Sequence, residues 1–195
     1  MGVEIGVLLS IIYEHITLNC RMNEVLETIK LRRSIRKYTT QRVPHEVVDQ
    51  IIEAGLQAAS GKNRQDTIII AVNDPQMRDC ISEMNRQIGD YDEDFDPFYG
   101  APQMLIVLAD KNEPNHVYDG SLVMGNMMIA AHALGVSSCW IHRARQEFES
   151  DEGKHILASL GIVGEWEGIG HLAIGYVDGE YPHPHRIKEN RVYYI

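Results

Sequence analysis

From Tyr118 to Leu134 the chain reads as one long helix that is apolar on most of its faces. Met124, Met127, Met128, Ala130, Ala131 and Ala133 leave no continuous polar side. Such a helix has to be buried, in a domain core or in a subunit interface. Gly135 is placed to cap its C-terminal end. The remaining elements must therefore be built around it.

Four apolar runs read as strands: Thr67 to Val72, Met104 to Ala109, Val136 to Ile141 and Gly168 to Val177. The first is β-branched and is stopped by Asn73-Asp74-Pro75. Further helices are expected in four places. One is capped by Asn23, with Val25, Leu26 and Ile29 on one face. One starts at Pro44 and runs to about Ala58-Ala59, with Val47, Val48, Ile51, Ile52 and Leu56 at helical spacing. One runs from Pro75 through Met84, and one from Ser150 to Leu160-Gly161. Ser60 to Gln65 is a polar loop. Asp90 to Gly100 is acidic and aromatic and is expected as a mobile surface loop. Beyond Asp178 the tail is rich in Pro and His, and Val192-Tyr193-Tyr194-Ile195 is strand-like by propensity.

A length of 195 residues, 44% of them hydrophobic and 24% charged, fits one domain with at most an appendage. The apolar run at the start, Val3 to Ile12, is too short for a membrane span and lacks the basic region of a signal peptide. Residues 1–21 are expected to form an appendage and 22–195 the domain. A formal charge of −10 argues against sequence-independent nucleic-acid binding. Cys20, Cys80 and Cys139 form neither a disulfide framework nor a CxxC pair, which suits a reducing cytoplasm.

Against that negative background, Arg32-Arg33-Ser34-Ile35-Arg36-Lys37-Tyr38 gathers four cations and a hydroxyl, the composition of an anion site. Several other candidates fail on spacing. Gly55, Gly61 and Lys62 are one residue too far apart for a phosphate loop, and Asn63 stands where Ser or Thr is needed. A calcium loop from Asp90 would need Gly and Glu where Phe95 and Ala101 stand. His183 and His185, with His142 or His171, lack a paired Cys or carboxylate motif, so no metal site is assigned. Cys139 reads as a small buried hydrophobe, Ser137 and Ser138 lack a nucleophile elbow, and Trp140 and Trp166 read as core.

Three separated pieces together resemble the nitroreductase family of FMN-dependent oxidoreductases. They are Arg32 to Tyr38, then Ala59-Ser60-Gly61-Lys62-Asn63-Arg64-Gln65, then Gly135 to Ile141 followed by Ile174-Gly175-Tyr176 and, past two prolines, Arg186. Their order and spacing, from about Met22 onward, carry the resemblance. It implies an α+β fold with a central, mostly antiparallel sheet flanked by helices, and a C-terminal strand exchanged between subunits of a homodimer. It also implies FMN as cofactor, NADH or NADPH as co-substrate and a small-molecule oxidant, with neither nucleic acid nor membrane as partner.

By the same resemblance Arg32, Arg33 and Ser34 lie along the phosphate and ribityl chain, Arg186 closes on the phosphate, and Arg36 faces the N1–O2 edge. Ser60, Asn63 and Gln65 come from the partner subunit, and Trp140, Ile141, His142 and Arg143 run past the ring. No side chain is nominated as catalytic, because flavin N5 does the chemistry. Asp66-Thr67 and Ala59 depart from the family pattern, and the segment Asp90 to Asp96 has no counterpart in it. Two alternatives stay open: a flavin carrier or sensor without turnover, and a flavin-degrading or dehalogenating relative.

Overall fold

A computed structural model describes residues 23–195. The expected appendage over 1–21 lies outside the described residues. The chain divides into two compact units, and the larger is Arg32–Ile195. Of the other unit, helix α1 (Glu24–Leu31) is described, with Asn23 Oδ1 accepting from the Val25 and Leu26 N–H groups.

The larger unit runs α2 (His45–Leu56), a short 3₁₀ turn (Gly61–Asn63), β1 (Thr67–Val72), α3 (Pro75–Ile88), β2 (Gln103–Asp110), α4 (His116–Ala133), β3 (Ser137–Ile141), α5 (Ala144–Glu149), α6 (Asp151–Ser159) and β4 (Trp166–Gly175). Side-chain caps hold two helix starts. Asp74 accepts from Gln76 N–H before α3, and Ser150 from Gly153 N–H before α6. Among the described residues no helix is long and apolar enough to cross a membrane.

The four strands form one antiparallel sheet in the order β1-β2-β4-β3. Strand β2 is central and its inward residues alternate between two cores. Met104, Ile106 and Leu108 pack with Ile81, Phe98, Phe148 and Leu157 on one face. Leu105 and Val107 pack with Val48, Ile51, Val123, Met124 and Met127 on the other. The expected apolar helix is α4, and it is only half covered. Val123, Met124, Met127 and Ala131 are buried, while Tyr118 and Leu122 are exposed and a side chain at Gly125 would meet nothing within 4 Å.

Two close approaches explain a pair of glycines in β4. A Cβ on Gly168 would lie 2.2 Å from the Ala144 carbonyl oxygen, and one on Gly170 would lie 2.1 Å from Trp140 Nε1. These glycines let α5 and the Trp140 indole seat directly on the strand. The register shifts between them, where Val107 faces Gly170 and Leu108 faces Gly168, so Ile169 is an extra, bulged residue.

Some expectations need correction. Helix α2 ends at Leu56, and β4 spans 166–175. Helix α5 had no periodic signal, because its six residues are too few to show one. The Asp90–Gly100 segment is an anchored turn: Phe98 is fully buried, and Asp96 accepts from Ser82 Oγ and from the Phe98 and Gly100 N–H groups and pairs with Arg78. Residues 192–195 have no sheet partner in the single chain and are exposed.

Candidate functional site

After α1 the chain runs beside β3, the free edge of the sheet. Ser34 bridges Ser138, and Ile35 N–H donates to the Ser138 carbonyl at 3.0 Å. Thr39 N–H then donates to Tyr176 O, and Asp178 N–H to Lys37 O. These bonds drive Ile35 and Tyr38 into the core and leave Arg36 exposed. Burial pushes the Tyr38 hydroxyl far above its usual range, with the nearby Arg36 acting in the opposite direction.

Arg32, Ser34 and Arg36 gather around Cys139. Burial pushes the Cys139 thiol up, while the two guanidinium charges and Ser34 oppose that rise. An upward-shifted, buried thiol is no nucleophile. Arg32 Nη1 and Ser138 Oγ are buried with no hydrogen-bond partner. A buried donor left unmade costs about 1–3 kcal/mol, so this pair marks a place for an acceptor from outside the chain. Arg33 serves differently. Its N–H donates to Tyr181 Oη at 2.9 Å and its Nε to the His183 carbonyl at 3.2 Å, tying the tail to this segment. Tyr181 stacks on His132, whose imidazole is held low by burial and then by the Arg32 and Arg33 cations.

Most other arginines in the larger unit have carboxylate partners: Arg64 with Glu113, Arg78 with Asp96, Arg86 with Glu83 and Arg145 with Glu149. Among the described residues no carboxylate pairs with Arg32, Arg36 or Arg143. Arg36 and Arg143 line one recess at the end of β3, and Arg32 stands where the Arg32–Tyr38 segment begins its run beside that strand.

Trp140, Ile141, His142 and Arg143 continue from Cys139 along a recess of about 210 Å³, faced by Tyr91, Phe95 and Tyr99 of the anchored loop. Arg143 has left-handed backbone (φ 82°) and its guanidinium sits 4.8 Å from the Tyr91 ring centroid. Behind this segment lies a buried polar trio that sequence reasoning missed. Asn85 Nδ2 donates to the His142 carbonyl at 2.8 Å and to Glu147 Oε1, and Glu147 Oε2 lies 2.7 Å from His171 Nε2. The one available signal was a histidine in the middle of an apolar strand. Among the described residues no group of three or more His, Cys, Asp or Glu side chains is placed to hold a metal ion.

Ser60, Asn63 and Gln65 form a second cluster elsewhere. Gln65 N–H donates to Ser60 Oγ, and Gln65 Nε2 to Asn63 Oδ1. Lys62, Asn63 and Gln65 all have positive φ, a conformation that costs residues other than glycine some backbone strain. Gly61 N–H donates to Asp119 Oδ2, which pins the loop to the start of α4, whereas His132, beside Arg33, marks the end of α4. Those anchors lie thirteen positions apart along the helix, about 20 Å. The single chain therefore does not bring the two clusters together. Nor does it bring Arg186 to Arg32: Arg186 is exposed on the tail and pairs with Glu189.

The neighbouring Asp66 is buried with both carboxylate oxygens unpartnered. Burial, then Asp119 and Glu113, hold its carboxyl above the usual range.

The comparisons agree with this architecture. The family model described as "Nitroreductase family" matches residues 29–176. A Methanothermobacter thermautotrophicus protein named as an NADH dehydrogenase/NAD(P)H nitroreductase is 34% identical over 121 residues, 60% of this chain and 60% of that protein. The FMN reductase (NADPH) of Bacillus subtilis is 27% identical over 193 residues, 89% of this chain and 74% of the relative. A nitroreductase from Bacteroides fragilis, solved with bound FMN, superposes with a TM-score of 0.80 at 28% identity, covering 89% of this chain and all of that one. With its antiparallel four-stranded sheet, its half-covered central helix and its arginine-lined edge, the chain belongs to the nitroreductase family.

Proposed function

We propose that this chain is an FMN-dependent oxidoreductase that takes electrons from NADH or NADPH and passes them to a small-molecule oxidant such as a nitro compound or quinone. The observation that carries this reading is the set of three arginines without carboxylate partners placed along β3 and just past its end, one with an orphaned buried nitrogen, in a chain of charge −10. Arg32 would hold the phosphate dianion of FMN and Arg36 would stand at the N1–O2 edge of its ring, and FMN so held would supply the hydride-transfer chemistry. Ser34 and Ser138 add hydroxyls along the same edge. Arg33 positions the tail, and with it Arg186, while residues 140–143 provide backbone groups beside the ring. A cation at N1–O2 favours the reduced, anionic cofactor. Free thiols at Cys80 and Cys139 suit a reducing cytoplasm.

Two results test the reading. Anaerobic NADH or NADPH should bleach the flavin absorption of the loaded protein; a flavin that binds but never bleaches would favour the carrier or sensor alternative. Arg32→Ala should weaken FMN binding by about 1–3 kcal/mol, the scale of a lost charged hydrogen bond. An unchanged affinity removes the phosphate assignment.

We further propose a homodimer in which Ser60, Asn63 and Gln65 reach the partner's arginines. A twofold axis across α4 sets its Asp119 end beside the partner's His132 end, which closes the ~20 Å gap. Tyr118, Leu122, Gly125 and Ile129 give α4 an outward stripe at helical spacing. The tail beyond Tyr181 extends from the same end, so exchange of its strand-like terminus belongs to the same arrangement. Sedimentation should show a dimer. Because space around Gly125 is open, Gly125→Arg should fold but dissociate. A native monomer holding stoichiometric FMN would refute the two-chain site.

A further inference from the structure

We propose that the C-terminal tail is a strap latched by the neutral imidazole of His132, so that acidification releases it from the body of the protein. The latch has three parts. The Tyr181 ring stacks on the His132 ring, with centroids 5.7 Å apart and planes 25° from parallel. The Tyr181 hydroxyl accepts from the Arg33 N–H at 2.9 Å, which leaves its own proton for His132 Nδ1 at 3.3 Å. Arg33 Nε donates to the His183 carbonyl at 3.2 Å. An Nδ1 that accepts belongs to an imidazole carrying its single proton on Nε2.

This latch is the outermost tether of the tail. The base is anchored separately, by the Lys37–Asp178 ion pair and by the Asp178 N–H donating to the Lys37 carbonyl. Beyond His183 the described polar contacts are internal to the tail: Arg186 pairs with Glu189, and Tyr193 donates to the Asn190 carbonyl. Opening the latch therefore leaves residues 180–195 without a described hydrogen bond or ion pair to the rest of the chain.

Charge makes the latch respond to pH. The charged and titratable groups that face His132 are Arg32 and Arg33, from the segment before β3, and the Tyr181 hydroxyl, from the tail. An imidazolium here would be partly desolvated, would stand near two guanidinium groups, and would turn Nδ1 from acceptor to donor. Burial, then those two charges, hold His132 below the ordinary imidazole range. Once the tail leaves, His132 loses the cover of Tyr181 and moves toward its ordinary value of about 6.5. As pH falls from there through the lower latched value, the open form takes up a proton that the closed form refuses. The open-to-closed ratio then rises by up to about tenfold per pH unit, and it stays level above that window. Arg186 rides on this tail, so under the oxidoreductase reading the strap also regulates closure over the cofactor phosphate. The latch itself does not depend on that reading.

The test follows the backbone amide resonances of Tyr181, His183 and His185 in the isotope-labelled, FMN-loaded full chain, from about pH 8 to about pH 5. In native protein they should shift toward random-coil positions as pH falls below about 6.5. His132→Gln keeps an acceptor oxygen and does not titrate, so it should hold the tail across the whole range. Tyr181→Phe keeps the ring without the hydroxyl and should show a loosened tail already near pH 8. The proposal is overturned if the native tail signals do not change with pH, or if Tyr181→Phe holds the tail as native protein does. It is also overturned if His132→Gln releases the tail with the native pH profile, which would put the switch in His183 or His185. FMN dissociation is measured alongside, comparing native protein with His132→Gln at each pH, because a phosphate monoester also gains a proton near about pH 6. FMN release that follows the tail in native protein alone supports closure by Arg186. Tail release without FMN release leaves the latch standing and refutes that closure. Protein unable to hold FMN refutes the oxidoreductase reading instead, and the amide signals still decide the latch.

Discussion

Replacing Glu147 with alanine is expected to lower the unfolding free energy by about 3–5 kcal/mol, the cost of removing one partner from a buried polar pair. Glu147, Asn85 and His171 are essentially without solvent exposure. Removing the carboxylate leaves a buried amide and a buried imidazole without this partner. The change also has a local effect. Asn85 holds the His142 carbonyl, so its release frees the backbone that leads into Arg143. Flavin affinity should fall along with stability. Glu147→Gln keeps the shape and an acceptor oxygen and should lose much less of both. Denaturant unfolding of the two variants, each followed by an FMN titration, checks the expectation. A Glu147→Ala protein within about 1 kcal/mol of the native one would mean that the trio contributes little.

Asp96→Ala should cost about 2–3 kcal/mol, less than a fully buried pair because part of this side chain faces water. Burial disfavours the Asp96 carboxylate, but Arg78 and the Phe98 and Gly100 N–H groups outweigh it and hold the carboxyl below its usual range. A lowered folded value means that the stabilisation is complete above the ordinary carboxylate range. It is lost as pH falls through the lower folded value. The difference between native and Asp96→Ala stability should therefore be steady near neutral pH and shrink on acidification. The substitution also frees the turn that carries Tyr91, Phe95 and Tyr99, so any ligand of the aromatic recess should bind more weakly. A difference that persists unchanged to strongly acidic pH would contradict the assigned role.

Much of the fold was legible because its signals are local. Strand β1 is β-branched and ends at Asn73-Asp74-Pro75, and Asp74 caps α3 as its side-chain chemistry allows. The low polarity of α4 announced that it needed covering on more than one side. The arginine cluster was legible for the same reason, since its residues adjoin in the chain. The Asp90–Gly100 segment was misjudged because alternating carboxylates look solvated one by one. Only in three dimensions does Arg78, 18 residues away, single out Asp96 and let Phe98 enter the core.

Taken alone, the sequence determined most of the elements, the apolar central helix and a cationic segment in an acidic chain, all properties of neighbours along the backbone. The tertiary structure decided which of those cations lack a carboxylate partner, and that Asn85, Glu147 and His171 meet beneath the cleft. It also separated the Arg32–Tyr38 segment and the Ser60–Gln65 loop to opposite ends of α4. Hydrogen bonds and ion pairs form between groups brought within a few ångströms, and the pairing of Asn85 with Glu147 across 62 residues follows from sheet order and helix packing, which no local pattern encodes.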